Sequence, residues 1–418
     1  MIKIITASQF SHKRELTKAS APDVSEDVRN IIADVRARGD DALREYAMKF
    51  DGIKLERLEV SQEEFDQALN IVGERYAEIL TRSAENIRAF HTRQLREGFM
   101  FSPKGGVILG QRVIPLEKVG LYVPGGTASY PSSVLMNAIP AKIAGCQEII
   151  VATPKPSNEI MAAAKIAGVT RMFRIGGAQA IAALAYGTEA VPKVDKITGP
   201  GNSYVAEAKR QVYGDVGIDM IAGPSEILII ADKNNFASHL AADMLAQAEH
   251  DRNATAILIT NSRRVANNVS REIELQIEKL ERQSIARESI DNNGAIIIVK
   301  SINDAVDIAN EIAPEHLEIC VEEPFGMMTK IRNAGSIFIG RNSPEALGDY
   351  YAGANHVLPT MGTARFSSPL SVDDFVKKSQ FIYYTAGEPF LTASKDIEEF
   401  AMSEGLTAHA RSVSIRRE

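Results

Sequence analysis

Four short segments carry side chains that could move protons or hold a metal ion: Gln247-Ala-Glu-His250, Pro314-Glu315-His316, Asp349 through His356, and Glu404 through His409. An adjacent carboxylate and imidazole, as in Glu315-His316, can divide proton transfers between them. Imidazole titrates near neutrality, and a desolvated carboxylate has its pKa raised. Gln247 and His250 close a helical pattern three residues apart, so they share a face and could supply half a metal site. Asp349, His356 and His409 add oxygen and nitrogen donors, and a metal site needs about four that converge. Each segment has a plain alternative. Glutamine is an uncommon zinc ligand, His239 and Asp243 continue the Gln247 stripe as a solvent-facing polar side would, and Glu-His pairs arise often by chance.

Glycine and proline mark a second group of segments: Tyr122-Val-Pro-Gly-Gly126, Gly176-Gly-Ala-Gln179, Gly199-Pro-Gly-Asn202 and Gly223-Pro-Ser225. Three of them follow predicted strands, at the carboxyl edge where open α/β sheets bind ligands and where glycine lets backbone approach a phosphate. A nucleotide is one reading and ordinary turn chemistry the other. The GxGxxG fingerprint is absent, because position 204 after Gly199-Pro-Gly201 is Tyr. A Walker A loop is absent too, since Gly105 to Gly110 is followed by Gln111-Arg112.

These segments must be held by something, and the hydrophobic pattern says what. Val24, Val28, Ile31, Ile32 and Val35 recur at helical spacing up to Gly39, and the pattern resumes with Leu43, Tyr46 and Phe50. Ser61-Gln-Glu-Glu64 reads as a capping box, and a further helix extends to about His91. Beyond Val107, short β-rich runs alternate with small-residue helices. One series comprises 120–123, 148–151, 171–175 and 196–198; the second comprises 227–230, 256–259, 295–298, 317–320 and 336–339. Two successive sets of βα units predict an α/β fold with two parallel, helix-covered sheets. The tail from about Asp373 is less regular, with a helix over 396–404. In the second set Ser225, His250 and Glu315-His316 fall just before strands, on the amino edge. The expectation is a cleft where the carboxyl edge of one sheet faces the amino edge of the other.

Composition narrows the partners. The chain has 418 residues, 47 Lys plus Arg against 54 Asp plus Glu, and 45% hydrophobic residues. That is enough for about two to three globular domains. A net charge of −7 leaves no electrostatic footprint for nucleic acid or a membrane surface. The two cysteines, Cys146 and Cys320, form no CxxC pair, which removes a disulfide framework or thiolate zinc site and fits a reducing cytoplasm. The first residues carry too short an apolar run for a signal peptide, and prolines and glycines break the uncharged stretch from Val119 to Ala141.

Read in order, these motifs closely resemble the histidinol dehydrogenase family. The resemblance runs from Arg38-Gly-Asp-Asp-Ala-Leu-Arg-Glu-Tyr46 through Val119 to Gly126, Gly176 to Ala185, Ile197 to Asn202, Ala222 to Glu226, Gln247 to His250, Pro314 to Leu317 and Asn355 to Thr360, ending at Leu406-Thr-Ala-His409. It implies a Zn²⁺- and NAD-dependent enzyme, one zinc per subunit, oxidising L-histidinol to L-histidine through L-histidinaldehyde in the last step of histidine biosynthesis. By motif, the zinc ligands would be Gln247, His250, Asp349 and His409. Glu315 and His316 would be catalytic, and Tyr122, Gln179 and Asn202 would bind NAD. Ser225, Gln247, His250, His316, Asp349, His356, Glu404 and His409 would contact substrate.

The family also implies two incomplete Rossmann-like parallel-sheet domains with small N- and C-terminal helical extensions. The expected layout is an N-terminal arm (1–20), a discontinuous main α/β domain (21–120 and 227–370), an inserted NAD-binding domain (121–226) and a dimerisation tail (371–418). In the implied homodimer the tail of one subunit completes the other's site with Glu404 and His409. Two alternatives stay open: a paralogous zinc and NAD dehydrogenase acting on another small alcohol, and a non-catalytic or hydrolytic metal protein in which Glu315-His316 activates water without a redox cofactor.

Overall fold

The computed structural model describes residues 1–14, 23–125 and 130–418. Gly126 of the first glycine loop and residues 15–20 of the expected arm lie outside the described residues. Strands among the described residues, numbered along the chain, are β1 (Lys3–Thr6), β2 (Phe99–Phe101), β3 (Val107–Pro115), β4 (Lys118–Tyr122), β5 (Glu148–Ala152), β6 (Arg171–Phe173), β7 (Lys196–Thr198), β8 (Gly217–Ile218), β9 (Glu226–Ala231), β10 (Thr255–Thr260), β11 (Ala295–Ile298), β12 (His316–Cys320), β13 (Ser336–Ile339) and β14 (Val376–Tyr384). The chain divides into two units, Met1–Gln94 with Leu116–Phe375 and Leu95–Pro115 with Val376–Glu418.

The first unit holds both parallel sheets, one of six strands in the order β1-β11-β10-β9-β12-β13 and one of five in the order β6-β5-β4-β7-β8. Strand β9 shows why they are covered on both faces. Its side chains alternate, so Ile227, Ile229 and Ala231 enter one apolar cluster with Leu240, Met244 and Val269, while Leu228 and Ile230 enter another with Ala305, Ala309 and Leu317. On the five-stranded sheet Tyr122, Ile150, Ala152 and Phe173 join a cluster with Ala180, Ile181, Val205 and Ala208. Helix Pro131–Ala144 packs with helices Asn158–Ala167 and Glu74–Thr92.

Three expectations about the layout differ from what is seen. Residues 24–58, grouped in sequence with the six-stranded sheet, pack on the five-stranded one. The apolar stripe Val28, Ile31, Ile32 and Val35 of helix Ser25–Arg38 covers that sheet's cluster, and Glu59 takes a bidentate hydrogen bond from Arg171 at 2.7 and 2.8 Å. Lys3–Thr6, expected as part of an arm, is an edge strand paired with β11. Residues 95–115 leave the first unit altogether.

The second unit is built on a three-stranded antiparallel sheet, β14-β3-β2, in which β14 pairs with β3 along its whole length, from Val376 opposite Pro115 to Tyr384 opposite Val107. The tail thus opens with a strand, and its helix, Glu388–Ser403, starts earlier than the pattern suggested. A second helix follows at Thr407–Ser414, and Arg417 pairs with Glu398. Among the described residues no helix is long and apolar enough to cross a membrane.

Candidate active site

The amino edge of the six-stranded sheet gathers the first group of side chains. His316 opens β12 directly beside Ile227 of β9, and the loop before it is pinned by the Gly335 and Ser336 N–H groups donating to the Pro314 and Glu315 carbonyls at 2.9 and 2.8 Å. Nδ1 of His316 lies 3.1 Å from the Glu226 carbonyl. A carbonyl only accepts, so Nδ1 carries the proton and Nε2 keeps a bare lone pair. That Nε2 is buried with no hydrogen-bond partner, 3.9 Å from Glu345 Oε1 and 3.9 Å from Asp349 Oδ1. Burial pushes the His316 pKa down to about 4, with the nearby Asp349 carboxylate opposing the shift. Its neighbour Glu315 is buried too; Oε2 accepts the Glu226 N–H at 2.8 Å, and burial lifts its pKa well above the usual carboxylate range. One environment thus weakens proton binding on the imidazole and strengthens it on the carboxyl beside it.

Gln247 and His250 come from the end of helix Ala237–Ala248. The polar-face alternative fails for Gln247, which is 0% exposed. With its amide oriented so that the nitrogen faces the Glu345 carboxylate, its oxygen shares the Glu226 N–H with Glu315, also at 2.8 Å. Glu345 and Asp349 come from the short helix Glu345–Tyr350. One ligand atom each from His250, Glu345 and Asp349 lies within 4.8 Å of the others. Behind them Glu318 Oε1 accepts the Glu345 N–H at 2.9 Å. Burial first, and neighbouring carboxylates next, push Glu345 and Glu318 well above their ordinary range, and burial pushes Asp243 up to about 6. Closely spaced oxygen and nitrogen donors, with excess negative charge in a desolvated place, fit a divalent cation. Glu345 and Glu318 were missed in sequence. Glu345 looks like any acid in a helix's first turn, whereas Glu318 had a signal, a carboxylate in mid-strand of a sheet covered on both faces.

His356 stands beside this group. Its Nδ1 is 3.1 Å from the Asp349 carbonyl and its Nε2 3.3 Å from Ser133 Oγ. A cavity of about 180 Å³ is lined by His316, Phe338, Asp349, Asn355, His356 and Leu358, room for a small polar molecule. Ser225 precedes β9 on the same edge, its carbonyl accepting the Thr255 N–H at 2.9 Å. Glu404 and His409 belong to the second unit, where both are exposed.

The carboxyl edge of the five-stranded sheet holds the second group. Tyr122 ends β4, and its hydroxyl accepts the Gly177 N–H at 3.0 Å at the start of helix Gly177–Tyr186. Gln179 in that helix is 2% exposed, and its Oε1 has no partner. Asn202 is exposed, and its Oδ1 caps helix Ser203–Val212 by accepting the Val205 N–H at 3.1 Å. Gly199 has φ +109°, and a Cβ there would come within 2.1 Å of the Tyr122 carbonyl oxygen. Its loop is clamped by a buried ion pair: Lys209 Nζ donates to the Gly199 carbonyl at 3.0 Å and to Asp219, which accepts the Gly199 N–H at 2.8 Å. The two edges meet where Ser133, in the first turn of the helix after β4, reaches His356. They meet again where the Gly223 N–H donates to Thr360 Oγ1 at 2.7 Å.

Comparison with known proteins bears on this arrangement. Residues 13–417 match the family model described as histidinol dehydrogenase. A histidinol dehydrogenase of Bacillus cereus is 54% identical over 98% of this chain and 96% of its own, and one of Geobacter sulfurreducens is 52% identical over 94% and 93%. The crystal structure of histidinol dehydrogenase from Elizabethkingia anophelis superposes with a TM-score of 0.93 at 36% identity, covering 99% of this chain and 98% of that one. Matched by the family model over nearly its whole length and more than half identical to these bacterial relatives, the chain belongs to the histidinol dehydrogenase family.

Proposed function

We propose that this site oxidises L-histidinol to L-histidine by way of L-histidinaldehyde, passing two hydrides to NAD. The observation that carries the reading is the unpartnered His316 Nε2 beside the convergent His250, Glu345 and Asp349 donors. In the first half-reaction His316 Nε2 takes the hydroxyl proton, its ring held in the required tautomer by the Glu226 carbonyl. In the second, the Glu315 carboxylate accepts a proton from the water that attacks the aldehyde, its basicity raised by burial. His356 and Ser225 contact the substrate.

Gln247, His250 and Asp349, with His409 of a second copy, would hold Zn²⁺. When bound, the ion would supply a Lewis acid that helps orient the substrate. Three of these residues lie in the first unit, with the Glu345 carboxylate beside them, and His409 of the second copy would be the fourth ligand. Glu404 of that second copy would contact the substrate. Tyr122, Gln179 and Asn202 would hold NAD, whose nicotinamide accepts hydride when bound; the buried, unpartnered Gln179 Oε1 favours a ligand there. Within the layout, residues 121–226 would be the NAD-binding part and the tail the dimerisation element. Two buried free thiols fit a reducing cytoplasm.

A spectrophotometric assay tests this. L-histidinol with NAD should yield two NADH per substrate, abolished by strong chelation and restored by Zn²⁺. No rise in NADH absorbance under those conditions overturns the reading, and one NADH per substrate would confine the site to a single alcohol oxidation.

A further inference from the structure

His91 is a buried histidine with no part in the chemistry above. It sits at 0% exposure near the end of helix Glu74–Thr92, its Nδ1 2.7 Å from Gln94 Oε1. That oxygen also accepts the Val372 N–H at 3.1 Å. Nδ1 therefore carries the proton, and the bare Nε2 accepts from Asn355 Nδ2 at 3.3 Å. Asn355 donates its other N–H to the Met136 carbonyl at 2.7 Å, and its Oδ1 accepts the Val357 N–H at 2.9 Å. The buried amide is fully satisfied.

Met136 lies in the interior of helix Pro131–Ala144, where its carbonyl would ordinarily accept the N–H of the residue four positions on. That residue is Pro140, which has none. The carbonyl is released from the helix and taken by Asn355. Three residues before Met136, on the same helix face, Ser133 Oγ meets His356 Nε2. Asn137 ties this turn to β7: its Nδ2 donates to the Ser133 carbonyl and its Oδ1 accepts from Thr198 Oγ1, both at 2.8 Å.

We infer that Pro140, Asn355 and His91 are positioning residues for His356: the proline frees a helical carbonyl, the amide docks on it, and the histidine fixes the amide's orientation. Consecutive residues Asn355 and His356 are thereby pinned at two points of one helix, and the imidazole is aimed along the cavity wall before substrate arrives. The inference rests on reading His356 as a substrate contact.

Pro140→Ala separates positioning from mere structure. It returns the missing N–H to the helix, so the Met136 carbonyl regains a helical partner and competes with Asn355. The expected result is a melting temperature held or raised, with KM for L-histidinol up about tenfold and KM for NAD unchanged. Asn355→Leu should raise the same KM and lower the melting temperature. Adding Pro140→Ala to it should recover stability without recovering KM, since the carbonyl is satisfied but His356 is still unplaced. His356→Ala is the reference: if it leaves KM for L-histidinol unchanged, the substrate-contact reading falls. If His356→Ala raises that KM while folded Pro140→Ala does not, the positioning inference is overturned. A parallel rise in both KM values would also overturn it, and Pro140→Ala decides alone should Asn355→Leu fail to fold.

Discussion

At the carboxyl edge of the five-stranded sheet, Lys209 is buried against an equally buried Asp219, and together they hold both backbone polar groups of Gly199. At and just behind the amino edge of the six-stranded sheet, Glu315, Glu318 and Glu345 are also buried, with no lysine or arginine paired to them among the described residues. Both edges bring charge out of water, where an ion costs several kcal/mol unless it is compensated. The first compensates it within the chain and obtains a rigid backbone loop. The second leaves the compensation to what it binds, and its pKa values are displaced as a result. A closed pair marks a scaffold, and an open cluster of one sign marks chemistry.

The largest expected effect comes from the open cluster. His316→Gln should lower kcat by about 10²–10⁴-fold, the usual contribution of a placed general base. The unfolding midpoint should fall only slightly, because Nε2 makes no hydrogen bond and the fold loses just the one from Nδ1 to the Glu226 carbonyl, worth about 0.5–1.5 kcal/mol. If the tail completes a second copy's site as proposed, His409→Ala should be inactive too, and co-refolding it with His316→Gln sharpens the picture. Hybrid dimers would contain one site with both residues intact, so activity should return. A mixture as inactive as its parts removes His409 from the shared site.

The closed pair should respond in stability. Lys209→Met leaves Asp219 buried and unpaired, and breaking such a pair costs about 3–5 kcal/mol, read as a shift of the urea midpoint. Lys209→Met with Asp219→Leu should recover part of that, since no lone charge remains. Recovery should stay incomplete, because the Gly199 N–H and carbonyl then lose their partners. A single variant as stable as the parent would mean that the pair does not carry the loop, and the contrast between the edges would fail.

Much of this contrast is legible in the sequence. Continuous apolar runs such as Ile227 to Ile230 announce strands covered on both faces, and Gly199 falls where the loop backbone must approach the Tyr122 carbonyl, Gly176 where it must clear the Pro154 ring. The motif positions of Gln247, His250, Glu315, His316 and Asp349 all come together on one edge. What stays hidden depends on partners far along the chain. Strand β14 carries Lys377, Lys378, Ser379 and Gln380 in a row, exposed on both faces, and is a strand only because β3 runs beside it. The helical residues 24–47 have an apolar stripe that either sheet could accept, so periodicity finds the helices and not their sheet. Pro140 reads locally as a defect in a helix; its use appears only once Asn355 stands opposite the carbonyl it releases.

The smallest expected effect tests the support of the open edge. Burial holds the His91 pKa below its ordinary 6.5, with the Gln94 hydrogen bond opposing. The unfolded chain therefore binds a proton at His91 more readily than the folded one. Stability from the neutral ring is fully present above about pH 6.5 and is lost as pH falls through the lower folded value. Protonation would put an N–H on Nε2 facing the Asn355 N–H, so the same ionisation that costs stability also turns the amide away. His316 and His356 titrate with the same sign, which is why the comparison must be between chains. His91→Gln should be less stable than the parent at pH 8, and the gap in urea midpoint should narrow between pH 7 and pH 5 as the parent loses what the variant lacks. A gap that stays constant across that window would mean that His91 titrates alike in the folded and unfolded chain.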